Sequence, residues 1–174
     1  MGEKLLVLSD VHGETGRLAA VLEWAAAGGI GCGAFLGDGL SELDGALARS
    51  GFSGRWHRVR GNNDFGRREP EAAVFPFAGL QVFICHGHRY RGTESLLAAA
   101  GNRGAALALF GHSHVPFLKK EGEILLVNPG SIGNPRSVVG STFALLESGI
   151  GPLPEASFWG VDRAGKVRAL FSPG

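Results

Sequence analysis

The sequence predicts an α/β fold, a two-sheet sandwich flanked by helices, and three observations carry that expectation. Short apolar runs recur, and most empty into a glycine-containing segment that bears Asp, Asn or His. As far as Asp64 these runs alternate with stretches of helical periodicity. Such alternation implies right-handed crossovers and a mainly parallel sheet. Beyond Ser141, three strand-like runs follow one another with no helix between them.

Leu5-Leu6-Val7-Leu8 reads as a buried strand, although periodicity over so short a run does not itself exclude a helix. It passes through Ser9 into Asp10 and His12, and Gly13 closes it. In extended backbone, residues i and i+2 share a side, so Asp10 and His12 are expected to lean into one space. That space is the carboxyl end of the strand, where open α/β sheets place their ligands. Glu14 to Ala27 carries Leu18, Val21, Leu22 and Ala25 at helical spacing and stops at Gly28-Gly29. Gly33 to Leu36 is a second strand, opening onto Gly37-Asp38-Gly39. Ser41 is placed to cap a helix running to about Arg49. Trp56 to Val59 is a third strand, leading to Gly61-Asn62-Asn63-Asp64. Phe65 to Glu71 is charged and contains Pro70, hence loop. Val74 to Phe77 and Leu80 to Cys85 form a hairpin about Ala78-Gly79 and end at His86-Gly87-His88. Thr93, as a cap, opens a helix to Ala100, and Ala105 to Phe110 is a buried strand before Gly111-His112-Ser113-His114. Val115 to Leu118 pairs with Ile124 to Val127, and Asn128-Pro129-Gly130-Ser131 follows. Thr142 to Glu147, Ala156 to Asp162 and Lys166 to Phe171 are the final strands, the last two joined by a turn at Asp162 to Gly165.

With 174 residues, 44% hydrophobic and 19% charged, the chain has the material of one globular domain spanning 1–174. A formal charge of +1 provides no global field for long nucleic acids or an anionic membrane, so an anionic substrate must be drawn locally. The opening residues lead straight into a strand pattern, and no apolar run approaches a membrane span. Cys32 and Cys85 are too few for a disulfide framework and sit in or near apolar runs. Both are read as reduced and structural, with a cytoplasmic location.

Seven side chains stand just past apolar runs and close to glycine: Asp10, His12, Asp38, Asn62, His86, His112 and His114. If the strands share a direction, all seven converge at one sheet edge. They are too many for one tetrahedral ion and suit two ions that share a bridging carboxylate. Oxygen and imidazole donors without thiolate favour Mn, Fe, Co or Zn over a structural zinc.

The ordered series Asp10-x-His12, Gly37-Asp38, Gly61-Asn62-Asn63-Asp64, His86-Gly87-His88 and Gly111-His112-Ser113-His114 resembles the calcineurin-like metallophosphoesterases. Within them it is similar to the small bacterial and archaeal phosphodiesterases of the YfcE type. The resemblance runs from Asp10 through Ser131. It implies the αββα sandwich of that family and a dinuclear-metal phosphodiesterase, with manganese as the first choice of ion and Zn, Fe, Co or Ni as alternatives. Asp10, His12, Asp38 and His114 would hold one ion, and Asp38, Asn62, His86 and His112 the other. Two cations about 3.5–4 Å apart can hold a hydroxide for in-line attack on phosphorus. A small phosphodiester is the implied substrate, and self-association stays open.

One position departs from the wider family. Many members carry His after the ligand Asn, where it can protonate the leaving group; here the residue is Asn63. An amide supplies no proton at neutral pH, which favours diesters with good leaving groups. His88 is the candidate substitute or phosphate contact. Asp64 is expected to orient a metal-binding His. Asn128 to Ser131 is expected to line the anion site with backbone N–H groups. Arg136, Arg67-Arg68, Arg89 and Arg91 read as solvated, Trp24, Trp56 and Trp159 as packing, and His57 as structural or exposed. The resemblance also admits a non-catalytic reading, since a eukaryotic retromer subunit shares the fold as an interaction scaffold with an incomplete metal site. All seven positions here carry metal-capable residues, which speaks for the enzyme.

Overall fold

Residues 2–171 are described in the computed structural model; residues 1 and 172–174, the ends of the expected 1–174 unit, lie outside the described residues. In chain order the elements are β1 (Lys4–Leu8), α1 (Thr15–Ala27), β2 (Cys32–Phe35), α2 (Leu40–Leu47), β3 (Arg55–Arg58), β4 (Ala72–Phe77), β5 (Leu80–Cys85), α3 (Gly92–Gly101), β6 (Leu107–Phe110), β7 (Pro116–Glu121), β8 (Ile124–Pro129), β9 (Thr142–Glu147), β10 (Glu155–Val161) and β11 (Val167–Phe171). One sheet has the order β11-β10-β9-β1-β2-β3 and the other β4-β5-β6-β8-β7.

Apolar residues on facing sides of the two sheets pack on one another. Leu5, Val7, Ala144 and Phe158 of the first meet Val82, Ile84, Leu107 and Val127 of the second, all buried. The outer face of the first sheet is covered by α1 and α2 through Leu18, Val21, Leu22, Leu40 and Leu43, against Leu6, Leu8 and Phe143. Leu96 and Ala100 of α3 cover the second sheet at Phe83 and Ala108. The layers are therefore helix, sheet, sheet, helix, as expected. Burying each Leu or Phe is worth roughly 1.5–3 kcal/mol, so this layering dominates the packing energy.

Parallel pairing holds for β1 with β2 and β2 with β3. The same sheet continues antiparallel through β9, β10 and β11. The expected mainly parallel sheet is thus parallel in only two of its five pairings. Alternating helices enforce parallel crossovers early in the chain, but β9 returns from the second sheet and pairs beside β1 in the opposite sense. The hairpin of β4 and β5 turns at Ala78 and Gly79, both with positive φ (49° and 78°), as a tight two-residue turn requires.

Neither helix cap is as expected. Ser41 lies inside α2 and Thr93 inside α3, and both helices lack a capping bond from the residue preceding them. For α2 the cap comes from elsewhere in the chain: Asp64 Oδ1 accepts the N–H groups of Gly39 and Leu40, both at 2.9 Å. A carboxylate there also complements the positive end of the helix dipole. Among the described residues no helix is long and apolar enough to cross a membrane.

Candidate metal centre

β1, β2, β5 and β6 end on the same side of the molecule, and the loops beyond them carry six of the seven expected donors; Asn62 follows β3. The means of convergence differs from the expected strand alternation. β1 stops at Leu8, and Asp10, His12, Asp38, His112 and His114 all have left-handed backbones, with φ of 56°, 43°, 58°, 67° and 60°. Ala78 is the only other non-glycine with positive φ among the described residues. Such a conformation costs an L-residue about 1–2 kcal/mol, and it turns each side chain out of the strand line towards a common point. The loops are stitched together by Asp10 N–H to Gly37 C=O (3.0 Å), Val11 N–H to Asp38 C=O (2.8 Å) and Gly111 N–H to His86 C=O (2.9 Å).

Two glycines permit this approach. A Cβ on Gly61 would lie 2.0 Å from Asp38 Oδ1, and one on Gly111 would lie 2.0 Å from Ser9 Oγ. No side chain fits at either position.

Among the described residues two groups could hold a metal: Asp10 with His12 and His114, and Asp10 with Asp38 and His86. Asp10 Oδ1 is 3.1 Å from His114 Nε2, 3.6 Å from His12 Nε2 and 3.9 Å from His86 Nε2. Asp38 Oδ2 is 3.4 Å from His86 Nε2 and 3.8 Å from His12 Nε2. Asn62 Oδ1 lies 3.1 Å from His86 Nε2. His112 stands further out. Its ring centroid is 5.1 Å from that of His86, while its backbone N–H donates to Asp10 Oδ2 at 3.0 Å. His88 sits at the rim, its ring 5.5 Å from that of His86 and 6.3 Å from that of His112.

The donor chemistry fits a cation. His86 Nδ1 lies 2.8 Å from the carbonyl of Leu36, and His114 Nδ1 lies 2.6 Å from that of Asn134. A carbonyl only accepts, so each Nδ1 must carry a proton; in the neutral ring each Nε2 then offers a lone pair on the side of the carboxylates, and a proton there makes it a donor to them instead. Asp10 Oδ1 is buried, faces the three Nε2 atoms and has no hydrogen bond while those rings are neutral. Acceptors this close repel unless positive charge sits among them. The titration tendencies follow. The hydrogen bond to Asp10 raises His114 above the ordinary imidazole range. Burial opposes a charge on His86, yet the neighbouring Asp38 and Asp10 carry it upward. Burial also opposes ionisation of Asp38, but hydrogen bonds from His86 and Asn63 hold its carboxyl well below the usual range. Burial lowers both His88 and His112, with the His86 charge adding to it.

Asn63 has a role the sequence did not announce, and Asp64 and the segment Asn128 to Ser131 act otherwise than expected. Asn63 faces Asp38: its N–H donates to Oδ1 at 2.8 Å and its side-chain amide to Oδ2 at 2.6 Å. Asp64 orients no histidine. Besides capping α2, its Oδ2 accepts the N–H groups of Asp38 (2.7 Å) and Gly61 (2.8 Å), so backbone carbonyls are left to orient His86 and His114. Asn128 to Ser131 does not present backbone N–H groups to an anion. Those residues are buried, the Gly130 N–H goes to Asn128 Oδ1, and Asn128 Nδ2 braces Gly111 C=O and Ser113 Oγ. Ser131 Oγ donates to the Asp10 carbonyl at 2.8 Å. Ser9, not singled out from the sequence, donates its hydroxyl to Asp10 Oδ2 at 2.5 Å; only its adjacency to Asp10 hinted at that.

Of the residues read as background, Arg67 pairs with Asp44 and Glu69, Arg89 pairs with Glu71, and Arg136 is exposed. His57 stacks on Phe75 with centroids 3.6 Å apart, and Trp24 packs on Phe143 and Trp159.

A model of the calcineurin-like phosphoesterase superfamily domain matches residues 4–149. Phosphodiesterase YfcE of Escherichia coli K12 is 28% identical over 168 residues, covering 84% of this chain and 89% of that protein. Among solved structures, a predicted phosphoesterase of Streptococcus pneumoniae TIGR4 superposes with a TM-score of 0.77 at 29% identity, covering 99% of both chains. Vps29 of Entamoeba histolytica, in complex with zinc, superposes with a TM-score of 0.73 at 21% identity, covering 97% of this chain and 98% of that one.

Proposed function

This chain belongs to the calcineurin-like phosphoesterase superfamily, and from that membership we propose that it is a dinuclear metal-dependent phosphodiesterase acting on a small diester. The observation that carries the reading is the cluster of facing acceptors around Asp10 Oδ1 and Asp38 Oδ2, which calls for cations. Asp10, His12, Asp38 and His114 would hold one divalent ion, and Asp38, Asn62, His86 and His112 a second, with Asp38 common to both. Manganese suits the oxygen-rich donor set, with Zn, Fe, Co or Ni as alternatives. When bound, such a pair supplies Lewis-acid activation of water and neutralises charge developing at phosphorus.

The chain's own residues do the rest. Ser9 and the His112 N–H fix the Asp10 carboxylate, and Asn63 fixes that of Asp38. The carbonyls of Leu36 and Asn134 set the tautomers that direct both Nε2 atoms inward. His88 is the side chain assigned to meet the leaving oxygen. Asn63 cannot, because its amide is engaged with Asp38 and donates no proton to a substrate. The same reading takes 1–174 as one domain, with β10 and β11, beyond the family match, completing the first sheet. Free Cys32 and Cys85 suit a cytoplasmic location. Vps29 shares the fold, so an interaction scaffold is the alternative at the level of fold; the donor cluster favours the enzyme.

Purified protein should hydrolyse bis(p-nitrophenyl) phosphate on addition of Mn²⁺ and lose that activity to a chelator. Asp38→Ala should lower bound metal, measured by mass spectrometry, as well as rate. Full retention of both ions in Asp38→Ala would remove the bridging role. Absence of metal binding and hydrolysis in the folded wild type would leave the scaffold.

A further inference from the structure

We propose that the open cleft beside the donor cluster is the subsite for a flat aromatic ester arm of the substrate, an aryl group or a nucleobase, with Phe65 as its stacking face. This deepens the phosphodiesterase reading and rests on it. Phe65 is 84% exposed, and a single apolar residue on a surface needs no explanation by itself. Its surroundings set it apart. With Asn62, His88 and Arg89 it lines one open cleft of about 370 Å³, so the ring and a candidate metal ligand share the same space. That volume lies at the lower end of the range typical of small-molecule sites, roughly 300–1,000 Å³, and admits one ring system. Val138 and Ile150 are more exposed still, but they are aliphatic and lie outside that lining.

The backbone beneath the ring is held in place. Asp64, the preceding residue, accepts four backbone N–H bonds, from Asp38, Gly39, Leu40 and Gly61. On the other side, the Arg67 N–H donates to the Asp64 carbonyl at 3.3 Å, and its guanidinium is fixed by Asp44 and Glu69. Phe65 therefore stands on a turn pinned at both ends, which leaves only its side-chain torsions to be ordered by stacking. Two guanidinium groups reach the cleft. Arg60 and Arg89 share the carboxylate of Glu71 (3.2 and 2.9 Å), while Asp64, the other carboxylate of the lining, is occupied by backbone N–H groups. The half-buried ring of His88 lines the same cleft.

The test compares phenyl phosphate and adenosine monophosphate with inorganic phosphate, by titration calorimetry on the metal-loaded protein. Phe65→Ala should weaken both ring-bearing ligands about tenfold, the worth of roughly one stacking contact, and leave inorganic phosphate unchanged. In turnover, KM for thymidine 5′-p-nitrophenyl phosphate should rise by a similar factor at constant kcat, since uniform binding is lost. Phe65→Trp should show an emission change with adenosine monophosphate and none with inorganic phosphate, against the wild-type protein as baseline. Equal weakening of all three ligands, or none, overturns the subsite. Failure of the wild type to hydrolyse any ester, with ring-selective binding intact, overturns the phosphodiesterase reading instead.

Discussion

Asn63 occupies the position from which many relatives in the superfamily present an imidazole, and its two donors are already committed to the two oxygens of Asp38. The residue thus trades a proton donor for a clamp on the carboxylate shared by both proposed ion sites. Asn63→His should lower diesterase activity by loosening that clamp and raise the monoesterase-to-diesterase ratio about tenfold, within the range of general acid catalysis. An unchanged ratio would show that this position does not govern leaving-group protonation. The seven candidate donors could be picked out because Asp, Asn and His each stood just past an apolar run and close to a glycine in an ordered series. Their geometry was not. Left-handed φ at Asp10, His12, Asp38, His112 and His114 depends on contacts between loops far apart in sequence, and local preference for L-residues runs against it.

At the scale of elements, the strand and helix order was readable, since periodicity and glycine punctuation are local signals. Caps and sheet partners were not. Ser41 and Thr93 had the right chemistry for caps, yet α2 takes its acceptor from Asp64, 24 residues after Leu40. No local pattern announces such a bond. β9 likewise carries no mark that it pairs antiparallel with β1. Asp64→Ala would strip an acceptor from four N–H groups at once, and it should destabilise the protein by roughly 2–4 kcal/mol. Thermal unfolding should then shift down by roughly 5–15 °C for a chain of this size. A shift below about 2 °C would mean that water replaces the carboxylate there.

For the molecule as a whole, two sheets with helices outside leave Cys85 fully buried in the layer beneath α3. Burial pushes its thiol from an ordinary 9.0 up to about 12, and Cys32 is raised for the same reason. The folded state holds this proton more tightly than the unfolded one. The contribution to stability is therefore complete below pH 9.0 and is lost as pH rises towards about 12. Native protein at pH 8 should accept iodoacetamide at Cys85 only after denaturation, as intact mass will show. Labelling at equal rates before and after would mean that the α3 layer opens readily.

The sheet orders described above have a consequence for crowded solution. Among the described residues four strands are edges: β3 and β11 of one sheet, β4 and β7 of the other. An edge strand offers unpaired N–H and C=O groups to any passing chain. Here β4 carries Pro76, which has no N–H to give, and β7 carries Lys119, Lys120 and Glu121. β3 bears Arg55 and Arg58, and β11 meets β10 with a break in register after Phe158. Each edge thus resists extension by a second copy, and aggregation through strand addition is discouraged on every open side.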